Sequence, residues 1–163
     1  MKKRLNILYF LSLFTILVSF AACNSGNLYK QQHQLAKEGW HQDSVIRFEF
    51  TVQEPNKVYH LLYNLRYQLS YPYYNLHLKY TMLDSNFRVV SSEMQDMNLM
   101  HPSSGMPLGS GYGEMYDIQV LALPQFKFPY AGKYYFEIRQ YMRKEVLQGI
   151  VAVGIEIEEQ QEN

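Results

Sequence analysis

The 163-residue chain holds a single cysteine, Cys23. One thiol excludes both a disulfide scaffold and a four-cysteine zinc site. Charged side chains are also scarce, at 18%, below the usual quarter. A disordered chain would be charge-rich and aromatic-poor, so that class is excluded too. Neither sign is in excess: 15 basic residues face 15 acidic ones, and no basic surface announces a nucleic-acid partner. Beyond residue 23, nothing is apolar over the ~20 residues that a membrane-spanning helix needs. No helical pattern of ~10–15 residues recurs between strands, which argues against βαβ units. There is no internal repeat and no Gly-x-Ser-x-Gly elbow.

Hydrophobic residues are plentiful, at 47%, and 15 residues are tyrosine. Tyrosine packs well on pleated surfaces, so its excess points to β-sheet. The length fits one domain.

The N-terminus is the most informative segment. Met1-Lys2-Lys3-Arg4 is cationic, Leu5 to Phe20 is largely apolar, and Ala21-Ala22-Cys23 follows. These are the parts of an export signal. A cysteine directly after two small residues resembles a bacterial lipobox, in which that cysteine is acylated and becomes the first residue. Phe20 stands where a leucine is usual and is still large and apolar. Residues 1–22 are thus expected to be a lipoprotein signal peptide and Cys23 the lipidation site. One acyl chain holds a membrane only marginally, whereas two or three give stable anchoring. Without Lys2, Lys3 and Arg4 the mature chain has 12 basic and 15 acidic side chains, a poor match for phosphate backbones.

Residues 23–40 read as the lipidated N-terminus and a polar tether, part of which suits a first edge strand with Leu28, Tyr29 and Trp40 as its apolar anchors. From Val45 the pattern alternates with period two. Ile46, Phe48, Phe50 and Val52 share one face. Tyr59, Leu61, Tyr63, Leu65, Tyr67 and Leu69 share another. Tyr74 to Met82 alternates again, and Asp84-Ser85-Asn86 is a turn signal. Phe87 to Met94 is expected to return. Residues 95–113, with Gly105, Gly109, Gly111 and Gly113, are expected to form a long loop of the kind often used for function. Glu114 to Leu123 suits either a short helix or a strand, and Gln125 to Phe128 a short strand. Tyr134, Phe136 and Ile138 alternate, as do Val151, Val153, Ile155 and Ile157. About seven strands separated by turns predict an all-β fold: a single antiparallel β-sandwich, Ig-like or jelly-roll-like, with a long Gly-rich loop. It is expected over residues 41–159, with 160–163 as an acidic tail. Glu156, Glu158 and Glu159 are assigned with Glu162 to the acidic C-terminus.

Chemistry is mostly absent from the pattern. None of His33, His41, His60, His77 and His101 is paired at helical metal-site spacing. Glu114 and Asp117 fall short of the ligands that calcium takes. Gly109-Ser110-Gly111-Tyr112-Gly113 lacks the strand before it and the Lys-Ser/Thr ending of a phosphate loop, so it reads as a flexible turn cluster. No catalytic residue, metal, cofactor or small-molecule substrate is expected. Two groups remain as candidate contact surfaces. Tyr71, Tyr73 and Tyr74 surround Pro72 and suit protein contact, sugar stacking or core filling. Tyr112, Glu114, Tyr116 and Asp117 flank the Gly-rich segment and suit recognition, or serve to pin the loop.

Several segments read together. They are Tyr71-Pro72-Tyr73-Tyr74-Asn75-Leu76; Gly109 to Asp117; Phe128-Pro129 with Gly132-Lys133-Tyr134; Phe136 to Arg143; and Leu147 to Ile155. In this order and spacing the chain resembles the gliding-motility lipoprotein GldH family of Bacteroidota, from about Phe48 to Glu158. The resemblance implies a lipid-anchored cell-envelope protein, in the outer membrane, serving the gliding and type IX secretion machinery. It implies the membrane and other envelope lipoproteins as partners, and no enzyme activity. A lipid-anchored carbohydrate- or peptidoglycan-binding module is the alternative.

Overall fold

A computed structural model of the protein describes residues 27–160. Residues 1–26, with the expected signal peptide and Cys23, and residues 161–163 of the expected acidic tail lie outside them. Among the described residues there are eleven strands and no helix: β1 (Asn27–Gln34), β2 (Trp40–His41), β3 (Ile46–Val52), β4 (Tyr59–Gln68), β5 (Asn75–Asp84), β6 (Val89–Asn98), β7 (Ser110–Tyr112), β8 (Met115–Phe126), β9 (Gly132–Gln140), β10 (Val146–Leu147) and β11 (Ile150–Glu159).

The strands make two antiparallel sheets, ordered β1-β11-β4-β8-β7 and β3-β9-β5-β6. A ribbon of β2 and β10 closes one corner. The alternation seen in the sequence is the reason for this arrangement. In β3 and β4 every second residue is buried, so one face of each strand meets the opposite sheet. Tyr63 of the first sheet meets Phe136 of the second at 6.2 Å between ring centroids, and Tyr59 meets Phe128 at 5.4 Å. Tyr80 stacks on Phe136 at 5.2 Å. The expected all-β sandwich is what forms.

Tyrosine does more than fill this core. Buried hydroxyls need partners, and each of these reaches the rim to find one. Tyr59 donates to the Glu54 carbonyl (2.9 Å), Tyr67 to that of Leu99 (2.6 Å), Tyr71 to that of Asn75 (2.9 Å) and Tyr134 to that of Tyr130 (2.7 Å). Tyr63 donates to Gln95 Oε1 (2.7 Å). The rings serve as core and their tips as loop ties. Among the described residues no buried side-chain nitrogen or oxygen lacks a partner.

Several boundaries differ from those expected. Eleven strands replace about seven, because short edge pieces carry no periodic signal. Residues 27–34 form β1, the first edge strand expected within residues 23–40, and pair with β11, so the sheet begins before residue 41. Trp40 is 1% exposed and sits in β2. Residues 114–123 are strand, not helix, and β8 continues to Phe126, absorbing the separate strand expected after it. It does so through register shifts opposite Tyr59 and Leu61 and a left-handed Gln125 (φ 49). Strand β6 begins two residues late and runs to Asn98, which, with β7, trims the long loop to residues 99–109. Glu156, Glu158 and Glu159 belong to β11 rather than to a tail. Glu156 is only 3% exposed because Lys30 Nζ (2.7 Å), Gln119 Nε2 (2.9 Å) and Asn64 Nδ2 (3.2 Å) converge on it from neighbouring strands.

Register also sorts the turns into two ends. Asn27 pairs with Glu158, Tyr59 with Phe126, Val52 with Gly132 and Asp84 with Tyr134. The turns 53–58, 85–88 and 127–131 therefore share an end with the start of β1. At the other end, Gln68 pairs with Met115, Gln34 with Ala152 and Asn75 with Asn98. Segments 35–45, 69–74, 99–114 and 141–149 gather there.

Candidate functional site

Both candidate surfaces fall at that second end, and the backbone ties them together. The Leu69 N–H donates to the Glu114 carbonyl (2.8 Å), and the Leu99 and Met100 N–H groups both donate to the Tyr74 carbonyl (2.8 and 2.9 Å). A bridge joins Met100 to Pro107. Three segments distant in sequence thus become one surface.

Tyr67 organises it from beneath. Its ring is buried, and its hydroxyl donates to the Leu99 carbonyl while accepting from the Gly109 N–H (3.4 Å). Burial pushes the Tyr67 hydroxyl pKa above its ordinary value. Tyr116 is half-buried and leans on Tyr67, ring centroids 6.0 Å apart. The glycines of the segment are not loose. A Cβ at Gly109 would lie 2.2 Å from the Asp117 carbonyl oxygen, and one at Gly111 2.2 Å from that of Met115. They let the 109–112 backbone press against β8. The expected flexible turn cluster is instead a closely packed edge.

The candidate residues then separate by exposure. Tyr71 is 3% exposed, its hydroxyl bonded to Asn75, so it supports the surface and does not present its ring. Tyr73 packs edge-on against it at 5.7 Å and is half-buried. Tyr74 is 50% and Tyr112 96% exposed. Glu114 is exposed. Asp117 is held by Arg66 through two bonds, Nε to Oδ1 (2.8 Å) and Nη2 to Oδ2 (3.0 Å), so its charge is neutralised.

Sequence reasoning missed the apolar companions. Leu69, Met106, Leu108 and Met115 are all exposed beside Tyr74 and Tyr112. Leu69 continues the alternation of Tyr59 to Tyr67, yet it lies beyond the end of β4 and is exposed, so periodicity gives no sign of this patch. Residues 69–74 and 99–114 carry a single acidic or basic side chain, Glu114. His101 Nδ1 lies 3.0 Å from the Ser103 hydroxyl. Methionine and tyrosine, exposed together with little charge, are what the centre of a protein interface uses. No group of three or more metal-ligating side chains occurs among the described residues. His60 and His77 belong to different sheets. No helix among the described residues is long and apolar enough to cross a membrane.

The outer face of the first sheet carries a concavity of about 500 Å³, lined in part by Lys30, Gln32, Asn64, Asp117 and Gln119. Its polar groups are already bonded to one another through Glu156, Asn64, Gln119 and Arg66–Asp117.

Comparison with known proteins adds identity to this geometry. The family model described as GldH lipoprotein matches residues 27–157. The gliding motility lipoprotein GldH homolog of Christiangramia forsetii is 31% identical over 156 residues, covering 91% of this chain and 93% of that one. The gliding motility lipoprotein GldH of Flavobacterium johnsoniae is 27% identical over 145 residues, covering 85% and 88%. Among solved structures, an arabinose-bound α-L-arabinofuranosidase reaches a TM-score of 0.40 at 10% identity, over 80% of this chain and 19% of that one. The VP2 subviral particle of infectious bursal disease virus reaches 0.37 at 11% identity, over 82% and 30%. Likeness of that order carries no argument.

Proposed function

Since the chain belongs to the GldH lipoprotein family, we propose that it is a lipid-anchored accessory protein of the gliding and type IX secretion machinery, acting by protein–protein contact. Cys23 carries the lipid, and the outer membrane is the site of action. The partner surface is the loop end built by residues 69–74 and 99–116. The observation that supports it is the concentration of exposed Tyr74, Met106, Leu108, Tyr112 and Met115 on one nearly uncharged surface. Contiguous exposed apolar patches on soluble domains mark interaction sites. The partner is a folded envelope protein, since large aromatic and methionine side chains give contact area without demanding one ligand chemistry.

The reading assigns the protein no catalytic role. A hydrolase needs a nucleophile with a base in reach. The conspicuous buried carboxylates, Asp84 and Glu156, are both tied up in structural bonds.

Cross-linking and co-purification from membranes test the reading with the variant Tyr112→Ala/Glu114→Ala. Retained folding with loss of co-purified envelope proteins is expected. An unchanged set of partners from a folded variant would overturn the assignment of this surface.

A further inference from the structure

The end of the sandwich at which β1 begins lies opposite the end that carries residues 69–74 and 99–116. Asn27 opens β1 beside Glu158, at the end that carries the turns 53–58, 85–88 and 127–131. Asn27 is four positions after Cys23. Fully extended, four residue steps span at most about 14 Å. A ten-residue strand such as β4 is about 33 Å long. We propose that the end formed by the 85–88 and 127–131 turns rests on the lipid surface and holds the sandwich upright, with the Tyr112 end facing away from the bilayer. The proposal rests on the reading of Cys23 as the lipidated residue.

The side chains at this end fit a headgroup layer. Phe87 is 56% exposed, Val89 63% and Tyr130 43%. Arg88 and Lys127 are exposed beside them. Aromatic rings next to cations are the composition of membrane–water interfaces. These groups are also preorganised. The Asp84 carboxylate is buried and accepts the Asn86 N–H (2.8 Å), the Arg88 N–H (2.9 Å) and the Tyr130 hydroxyl. One residue thereby fixes both turns. Phe87 is held in the left-handed region (φ 59), where glycine would sit without strain. A bulky residue kept at such a position argues for use of its side chain. Its ring lies flat on Tyr135 at 4.9 Å, with the Arg47 guanidinium 5.7 Å from each ring.

Lying down on the β1 edge is the competing orientation. That edge offers Lys30, Gln31, Gln32, His33 and Gln34, all exposed and none apolar. It has nothing to insert at a lipid boundary.

The test uses the full acylated chain reconstituted in phospholipid vesicles that contain headgroup-nitroxide lipid. Asn86→Cys and Ser103→Cys, each labelled with a fluorophore, report the two ends; Ser103 lies in the exposed 99–109 loop. Quenching at least threefold stronger at position 86 than at 103 is expected, and Phe87→Ala/Arg88→Ala should erase most of that difference while leaving acylation intact. Equal quenching at both positions in a protein that mass spectrometry shows to be acylated would overturn the upright orientation alone. A mass spectrum without acyl chains on Cys23 would remove the premise, and the inference with it.

Discussion

The two ends of the sandwich share one core and differ in almost everything else. At the end where the chain arrives from residue 23, turns are short and charged. Lys57 pairs with Glu54 (3.0 Å) and Glu159 (2.9 Å), and Asp84 closes two turns through its carboxylate. At the opposite end the loops are longer. Segments 35–45 and 141–149 carry charges, whereas 69–74 and 99–113 hold no Asp, Glu, Lys or Arg, and the 99–109 loop hangs on the Tyr67 hydroxyl. Core tyrosines tie both ends, since Tyr59 and Tyr134 hold the Glu54 and Tyr130 carbonyls of the short turns. The short turns add ionic and carboxylate bonds of their own, whereas the 99–109 loop depends more on the core residue beneath it. The difference teaches that binding surface can be displayed without loosening the fold, provided the tie comes from below.

The largest expected effect strikes what both ends share. Phe136 is fully buried between the sheets, and Phe136→Ala should cost about 3–5 kcal/mol in chemical denaturation. Tyr135→Ala, on the outer face, should cost clearly less. Reversed costs would mean that the register of β9 is wrong by one residue.

Tyr67→Phe should damage one end only. It removes one of the two donors to the Leu99 carbonyl, leaving the Leu108 N–H, and takes the acceptor from the Gly109 N–H, a loss of about 1–3 kcal/mol. Hydrogen exchange should quicken in 99–109 while the 85–88 turn stays protected. Equal loosening of both turns would break the comparison.

Acid should find the other end first. The Tyr130 hydroxyl and the Asn86 and Arg88 N–H groups hold the Asp84 carboxyl below its ordinary value. Its contribution is therefore present above the unfolded value of about 3.9 and is lost as the pH falls through the lower folded value. The stability of Asp84→Asn should depend less on pH below about 4 than that of the parent. Alkali acts with the opposite sign. The bond to Asp84 pushes the Tyr130 pKa up to about 12, so its contribution holds below about pH 10 and fades as the pH rises towards 12. Burial raises Tyr67 and Tyr71 as well, so the ties of the loop end also begin to weaken above about pH 10. Ultraviolet titration of tyrosinate alongside circular dichroism reads both.

The smallest stability effect should come from Tyr112→Ala/Glu114→Ala. Tyr112 touches almost nothing, and exposed substitutions usually stay within about 0.5 kcal/mol. A large fall in melting temperature would make the segment structural and move the search for a binding face to Tyr73 and Tyr74.

The sequence by itself determined the sheet class, because alternation such as Ile46-Phe48-Phe50-Val52 is set by the two-residue period of a strand. It also determined the core faces of β4, β5 and β9, and it carried the family resemblance. It could not show that Glu156 is a buried partner of Lys30, Asn64 and Gln119, since those residues meet only across strand pairings. Nor could it separate Tyr71 from Tyr74, because identical side chains differ only in what folds over them. Within residues 23–40 a first edge strand was legible but its bounds were not, as an edge strand facing water on one side has little apolar signal. That the Tyr71–Tyr74 and Tyr112–Asp117 segments form one surface, at the end away from residue 27, was decided by tertiary structure alone. Strand register, a property of paired chains rather than of any one segment, fixes which turns share an end.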